Sequence, residues 1–346
     1  MKVALLRRPY QLEWVDRPVP RLGPDEVLIH LRAAGICGSD IQGLAGEHPL
    51  MTLPRVLGHE LAGQVKAVGS EVTRASPGDH VVVDPMLRCG HCRPCRLGRY
   101  NCCENLRVLG VHTDGGFAEF IALPQGQVYT VPKGLPWEVG ALVEPLAVGA
   151  HGVARARVTD GDRVVILGAG TIGLAALLAA KQYQVQAIVL DILDWKLETA
   201  QALGADRVLN PTAEDAVAGV MDFTDGQGAE VVLEAAGSPV TVASTVNYAA
   251  SAGRIGVIGI TGQEIPFRQS EFTRKEVDVY FSRNSLDQFP RIIQRIVQGE
   301  MDPRPLISHR FPFREVEQAL RMARKRRQEV GKVILEFEGW HRGGIS

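Results

Sequence analysis

The stretch Arg163-Val164-Val165-Ile166-Leu167-Gly168-Ala169-Gly170-Thr171-Ile172-Gly173 decides how this chain is read. A β-type run, apolar after Arg163, enters three glycines at G-x-G-x-x-G spacing, and an apolar helical stretch, Thr171 to Tyr183, follows at once. A lone glycine pattern is weak. In the order strand, loop, helix, each glycine acquires a task. Gly168 permits the tight turn, Gly170 lets the backbone approach a pyrophosphate, and Gly173 lets the helix lie close to the sheet. The helix start at Thr171 and Ile172 turns its free amides toward negative charge. The next strand ends in Leu190-Asp191, 23 residues after Gly168. A carboxylate there accepts hydrogen bonds from ribose hydroxyls and repels a 2′-phosphate. No Arg follows it directly, so NAD is favoured over NADP.

Around this unit, buried-type strands alternate with helical stretches: Ala187 to Leu190, Trp195 to Leu203, Val231 to Glu234 and Arg254 to Ile258. Continuous Val/Ile/Leu runs between helices are what a parallel sheet covered on both faces requires, so the fold class is α/β with a doubly wound sheet. Gly256 and Gly259, at the last of these strands, are expected to let backbone approach the nicotinamide half; a plain turn is the alternative. Upstream, the first 150 residues are rich in Gly and Pro. Their short β-type runs, Val27 to Arg32, Leu61 to Val68 and His80 to Asp84, suggest an irregular β-rich domain. Past Phe281 come two helices, Pro290 to Gln298 and Phe313 to Arg324, and a final strand, Val330 to Phe337. That end segment is too short for a third domain and is expected to return to the first lobe. The division is thus 1–150 with 283–346, and 151–282.

A length of 346 residues fits two domains at roughly 100–200 residues each. Lys plus Arg is 38 and Asp plus Glu 39, for a net charge of −1. That balance gives no global field for nucleic acid or an anionic membrane. The basic cluster Arg321 to Arg327 reads as a solvated helix end. No run of about 18 apolar residues is available to span a bilayer, and the N-terminus lacks signal-peptide features. A soluble, cytoplasmic protein is expected.

Six cysteines need explaining. Cys89, Cys92, Cys95 and Cys103 fall within one short loop, and four thiolates suit a closed, tetrahedral, structural Zn²⁺ site. Iron–sulfur ligation is the rival, and spacing alone does not choose between Cys102 and Cys103. Three further pieces carry candidate ligands for an open metal site: Cys37-Gly38-Ser39-Asp40, Gly58-His59-Glu60 and Glu144-Pro145-Leu146. A thiolate, an imidazole and a carboxylate would leave a position for substrate or water. Taken singly each piece is weak. Upstream of a dinucleotide loop they suggest metal-assisted hydride transfer.

The succession Gly35-Ile36-Cys37-Gly38-Ser39-Asp40, Gly58-His59-Glu60, the cysteine loop, Glu144-Pro145-Leu146 and Gly168 to Gly173 resembles the zinc-dependent medium-chain dehydrogenase/reductase family over nearly the whole chain. Glu144 at the third-ligand position looks like the sorbitol (polyol) dehydrogenase branch. Val83-Asp84-Pro85, Leu109-Gly110-Val111-His112, Asp114 to Phe117, Ser282-Arg283-Asn284 and Leu306 to His309 are more similar still to bacterial L-galactonate/L-gulonate 5-dehydrogenases and starvation-sensing type oxidoreductases. The resemblance implies a GroES-like catalytic domain and a Rossmann NAD-binding domain, with the site in the cleft between them. It implies one catalytic and one structural Zn²⁺, NAD, a sugar-acid or polyol substrate oxidised at a secondary hydroxyl, and a homodimer or homotetramer. Cys103 becomes the fourth structural ligand. Cys37 and His59 become direct catalytic ligands, and Glu60 or Glu144 completes the shell, by exchange or through a bound water. Ser39 would bind the substrate hydroxyl and begin proton export. Many relatives carry His five residues after the catalytic Cys, where this chain has Gln42, so the relay must end elsewhere, through ribose and water or another His; His48 and His112 are candidates, with a loop or packing role as the alternative for each. Arg283 could bind a substrate hydroxyl or carboxylate, since an Arg fork suits a carboxylate. The alternatives are a threonine-type amino-alcohol dehydrogenase of the same fold and a non-catalytic NAD-binding regulator.

Overall fold

The computed structural model describes residues 1–337. The chain forms two compact units, one built from Met1–Glu144, Phe289–Val297 and the segment from Ile307 onward, the other from Pro145–Gln288 with Gln298–Leu306. The unit edges therefore fall a few residues from 150 and 282, and Gln298–Leu306 goes with the second unit. Residues 338–346, placed with the first lobe on the sequence, lie outside the described residues.

The second unit is the doubly wound sheet. Its six strands, all parallel, run in the order Arg207–Leu209, Gln186–Leu190, Arg163–Leu167, Ala229–Glu234, Ala249–Val257 and Asp278–Phe281. The chain order reverses between Arg163–Leu167 and Ala229–Glu234, the switch point where such sheets take ligands. Val164 to Leu167 and Ala187 to Leu190 are buried on both faces, which is why they read as unbroken apolar runs. The helix after the glycine loop spans Thr171–Ala180. It stops short of Tyr183 because Gln182 and Tyr183 bond back to Ala179 and Ala180, tightening the chain into the next strand. Ala249–Val257 starts earlier than Arg254; its irregular register and Ala252 at φ +57° hid the first half behind small residues.

The first unit is built on the eleven-residue strand Glu26–Ile36. Its seven-stranded sheet runs Val128–Val131, His80–Val83, Glu60–Val68, Glu26–Ile36, Lys332–Glu336, Ile307–Pro312, with Phe120–Pro124 also paired to Glu26–Ile36. Side chains Val27, Ile29 and Leu31 are fully buried, together with Leu61, Val65, Val333 and Leu335 from the flanking strands. The C-terminal strand pairs directly beside the central strand. The helix expected at Phe313 to Arg324 divides into a 3₁₀ turn, Phe313–Glu315, and an α-helix, Val316–Lys325.

Candidate active site

The register of that sheet sets the site. Gly35 lies opposite Glu60 on one side and Ile334 on the other, and Ile36 opposite Val333. The chain leaves the sheet at Cys37, which caps the helix Gly38–Ala45. Cys37, His59 and Glu60 each present a ligand atom, all within 4.8 Å of one another. Three residues named on the sequence are therefore brought together by the antiparallel pairing of Glu26–Ile36 with Glu60–Val68.

Asp40 and Lys332 complete this arrangement, and neither was given a role on the sequence. One Asp40 oxygen accepts from the Cys37 amide (2.9 Å) and the other from the Gly58 amide (3.0 Å), so a single buried carboxylate ties the cysteine turn to the histidine turn. Its signal was readable: an acid at the third helical position after an N-cap residue is a capping pattern. Burial pushes the Asp40 pKa up against those amide bonds. Lys332 is 3% exposed; its Nζ meets both oxygens of Glu60, 2.5 and 2.7 Å away, and the Ile36 carbonyl at 3.0 Å. Burial opposes the charge of Lys332, but Glu60 and Cys37 outweigh it and raise its pKa. The available signal was a lysine inside the apolar run Gly331-Lys332-Val333-Ile334-Leu335, since a charge in a buried strand requires a partner. Gly35 is needed for space: a Cβ there would stand 1.8 Å from Glu60 Oε2.

The donor set fits a divalent cation. His59 Nδ1 and Ser39 Oγ are buried with no hydrogen-bond partner. Asp40, Glu60 and Asp84 are each 1% exposed, and Glu60 pairs with the buried Lys332. Glu144 stands outside the close group but feels His59, Glu60 and Lys332; burial, opposed by His59, pushes it up to about 7. His59 is driven well above its usual value: burial opposes the imidazolium, and Cys37 and Asp40 overcome it. Excess buried acid around a soft thiolate and an imidazole is the chemistry zinc selects.

The cysteine loop makes a second cluster. Cys89, Cys92, Cys95 and Cys103 share one ligand group, and Cys102 is not in it. The sulfur of Cys103 is 3.5 Å from that of Cys89 and 3.8 Å from that of Cys92. Zinc–sulfur bonds of about 2.3 Å imply tetrahedral edges of about 3.8 Å, so the spacing suits zinc. Amides of His91 and Cys92 bring the Cys89 thiol down to about 6, whereas burial raises Cys95 to about 12. Four touching thiols cannot all ionise without a cation, and a bound metal displaces the remaining proton.

In the second unit the glycine loop joins the strand Arg163–Leu167 to the helix Thr171–Ala180. Gly168 has φ +99°, a Cβ on Gly173 would strike the Gly168 carbonyl at 1.8 Å, and Gly170 faces open space. Thr171 and Ile172 open the helix, with Gly170 as its N-cap. Asp191 accepts from the amides of Ala169 (2.7 Å) and Leu193 (3.0 Å), so it also braces the loop it follows. Gly259 has a packing reason of its own: a Cβ there would lie 2.3 Å from the Gly237 amide and 2.6 Å from Glu234 Oε2. Arg283 is exposed after the edge strand, outside both metal-ligand groups. Gln42 is exposed on the first helix. His48 is half-buried, accepts from the Leu50 amide, and has its pKa lowered by burial and then by His112, with Asp40 opposing.

A parallel doubly wound sheet with a glycine-rich loop at its switch point and a β-rich unit holding two zinc-type donor clusters together define the class of metal-binding, nucleotide-linked dehydrogenases. Comparison with known proteins places the chain within it. Residues 23–133 match the alcohol dehydrogenase GroES-like domain and residues 171–298 the zinc-binding dehydrogenase family. An uncharacterised zinc-type alcohol dehydrogenase-like protein of Haemophilus influenzae is 40% identical over 319 residues, covering 91% of this chain and 93% of that one. L-galactonate-5-dehydrogenase of Escherichia coli is 33% identical over 338 residues (97% and 99% covered), and L-threonine 3-dehydrogenase of Caldanaerobacter subterraneus 34% over 329 (93% and 94%). The crystal structure of an Escherichia coli alcohol dehydrogenase (rspB) complexed with NADH superposes with a TM-score of 0.91 at 34% identity, covering 97% of this chain and 99% of that chain. The chain belongs to the zinc-dependent alcohol dehydrogenase family of medium-chain dehydrogenases/reductases, enzymes acting on CH–OH donors, with a GroES-like domain and a Rossmann domain.

Proposed function

We propose that this enzyme oxidises a secondary hydroxyl of a sugar acid or polyol to a ketone, reducing NAD⁺ to NADH and releasing one proton. The observation that carries the reading is the Cys37–His59–Glu60 cluster, its His and Glu buried, with the unpartnered Ser39 hydroxyl beside Cys37. Zinc held there would supply Lewis acidity that lowers the pKa of a substrate hydroxyl. Asp40 fixes the two turns that carry Cys37 and His59. Ser39 accepts a hydrogen bond from the substrate hydroxyl and relays its proton, passing its own hydroxyl proton onward as it does so. Because Gln42 does not titrate, the proton leaves by another path, which we assign to the His48 side of the site. Glu144, held near neutrality, stands in reserve for the metal or for water on it. Cys89, Cys92, Cys95 and Cys103 would hold a structural zinc. Gly168, Gly170, Thr171, Ile172, Gly173 and Gly259 shape the dinucleotide site, and Asp191 favours NAD over NADP.

We assign residues 1–150 and 283–346 to catalysis and 151–282 to the nucleotide, with Arg283 as a substrate-binding candidate. A cytoplasmic setting would keep the cysteine loop reduced. Assembly as a homodimer or homotetramer is supported by the open sheet edge Asp278–Phe281, where Phe281 is 67% exposed. The test is an NADH-production screen over C5–C6 polyols, aldonates and L-threonine, with zinc measured on the same sample. Turnover of an aldonate or polyol with two zinc ions per chain is expected. Preference for L-threonine would move the enzyme to the amino-alcohol reading. NAD binding and intact zinc without turnover would make it a regulator.

A further inference from the structure

Lys332 has no part in the reading above, yet it is the most tightly engaged side chain at the site. An ammonium has three donors, and here two meet the two oxygens of Glu60 and the third the Ile36 carbonyl. Lys332 is 3% exposed and Glu60 1%. A Glu60 oxygen also lies within 4.8 Å of the Cys37 sulfur and a His59 ring nitrogen. The same carboxylate therefore faces a fixed ammonium and the position where those three ligands converge. Gly35 lies directly beneath Glu60, and its missing Cβ leaves the carboxylate just the space it occupies.

We propose that Lys332 is a resident counter-ion that competes with the catalytic metal for Glu60, holding the ligand cluster together before metal arrives and weakening the metal's hold once it is there. The physical reason is that a buried carboxylate left without a cation is strongly destabilising, and either cation removes that penalty. Two cations satisfying one anion each diminish what the other gains, and by linkage the effect is reciprocal. The lysine is a positioning residue, since it acts through Glu60. Its consequence is a catalytic ion that exchanges more readily than the same ligands would allow without it. The inference rests on the reading that Cys37, His59 and Glu60 hold zinc.

The experiment uses full-length protein, zinc-loaded and chelator-stripped, as wild type, Lys332→Met and the pair Glu60→Gln/Lys332→Met with its Glu60→Gln parent. Thermal melting and zinc competition against a chromophoric chelator are read, and the catalytic ion is the one lost in Cys37→Ser. Lys332→Met should lower the melting temperature of stripped protein by on the order of 10 °C more than that of loaded protein. It should also bind the catalytic zinc about tenfold more tightly. In the Glu60→Gln background that tightening should vanish. Equal melting losses in the two forms, unchanged or weaker zinc binding, or a Lys332→Met chain that does not fold even with zinc supplied would each overturn the proposal. A wild type holding one zinc per chain, with none lost in Cys37→Ser, would instead overturn the underlying site reading and the proposal with it.

Discussion

Within one unit this chain gathers metal-ready side chains twice, by opposite means. Cys89, Cys92, Cys95 and Cys103 come from a single loop, closed by a short helical turn at Arg93–Arg96 and by Gly90 and Gly98 in left-handed conformations. Cys37, His59 and Glu60 come from separate strand ends, and the lysine facing Glu60 is 272 positions away along the chain. The first cluster is made by local turns and lies near the surface. The second is made by sheet register and lies in the interior. A local cluster depends on its own loop, whereas a register-built one depends on every strand that sets the register.

That contrast can be broken or sharpened by substitution. The largest effect is expected from Cys37→Ser or His59→Ala. Loss of a Lewis acid worth several kcal/mol should cut turnover of the best alcohol by about 10³-fold, with one of two zinc ions missing by metal analysis. Wild-type turnover in a zinc-free variant would remove the metal from the mechanism.

Cys103→Ser should act in the opposite sense. It should cost on the order of 3 kcal/mol of stability, seen as earlier thermal unfolding and one lost zinc. The protein that remains folded should keep most of its turnover per catalytic ion. If turnover collapses while the fold holds, the two clusters are not separable as described.

Gly35→Ala tests the register-built cluster without touching a ligand. The new methyl carbon would meet Glu60 Oε2 at 1.8 Å, and overpacking of that kind costs about 1–3 kcal/mol. Weaker binding of the catalytic zinc should accompany it, measured by chelator competition, with the cysteine-loop zinc unaffected. Unchanged affinity would mean that Glu60 has more room than its surroundings indicate. The smallest effect belongs to Cys102→Ser: two zinc ions per chain and a melting temperature within a degree or so of wild type. A lost zinc there would exchange Cys102 for Cys103 in the ligand set.

Legibility in the sequence follows the same division. The glycine loop and the cysteine loop could be read because the residues that make each are neighbours, and their chemistry appears as spacing. The strands Arg163–Leu167 and Gln186–Leu190 could be read because a sheet covered on both faces demands unbroken apolar runs. The first half of Ala249–Val257 could not, since Ala250, Ser251 and Gly253 carry no strand pattern and fall in the register irregularity between Ala249 and Arg254. At the site, Cys37, His59 and Glu60 were legible as pieces but not as a ranked set. Their spacing treats Glu60 and Glu144 alike, while the pairing of Gly35 with Glu60 brings Glu60 to the cysteine and leaves Glu144 outside the close group.

By itself the sequence determined the class of fold, the glycine loop with Asp191 after it, and the presence of two zinc-type donor sets, because each is encoded in residues close along the chain. Tertiary structure decided which carboxylate joins Cys37 and His59, why residue 35 is glycine, how Asp40 binds two turns together, and that Lys332 faces Glu60. Those contacts arise from strand pairing between distant segments. Strand pairing is set by the burial of a whole sheet face rather than by any motif, so the sequence names the groups and the sheet decides which of them meet.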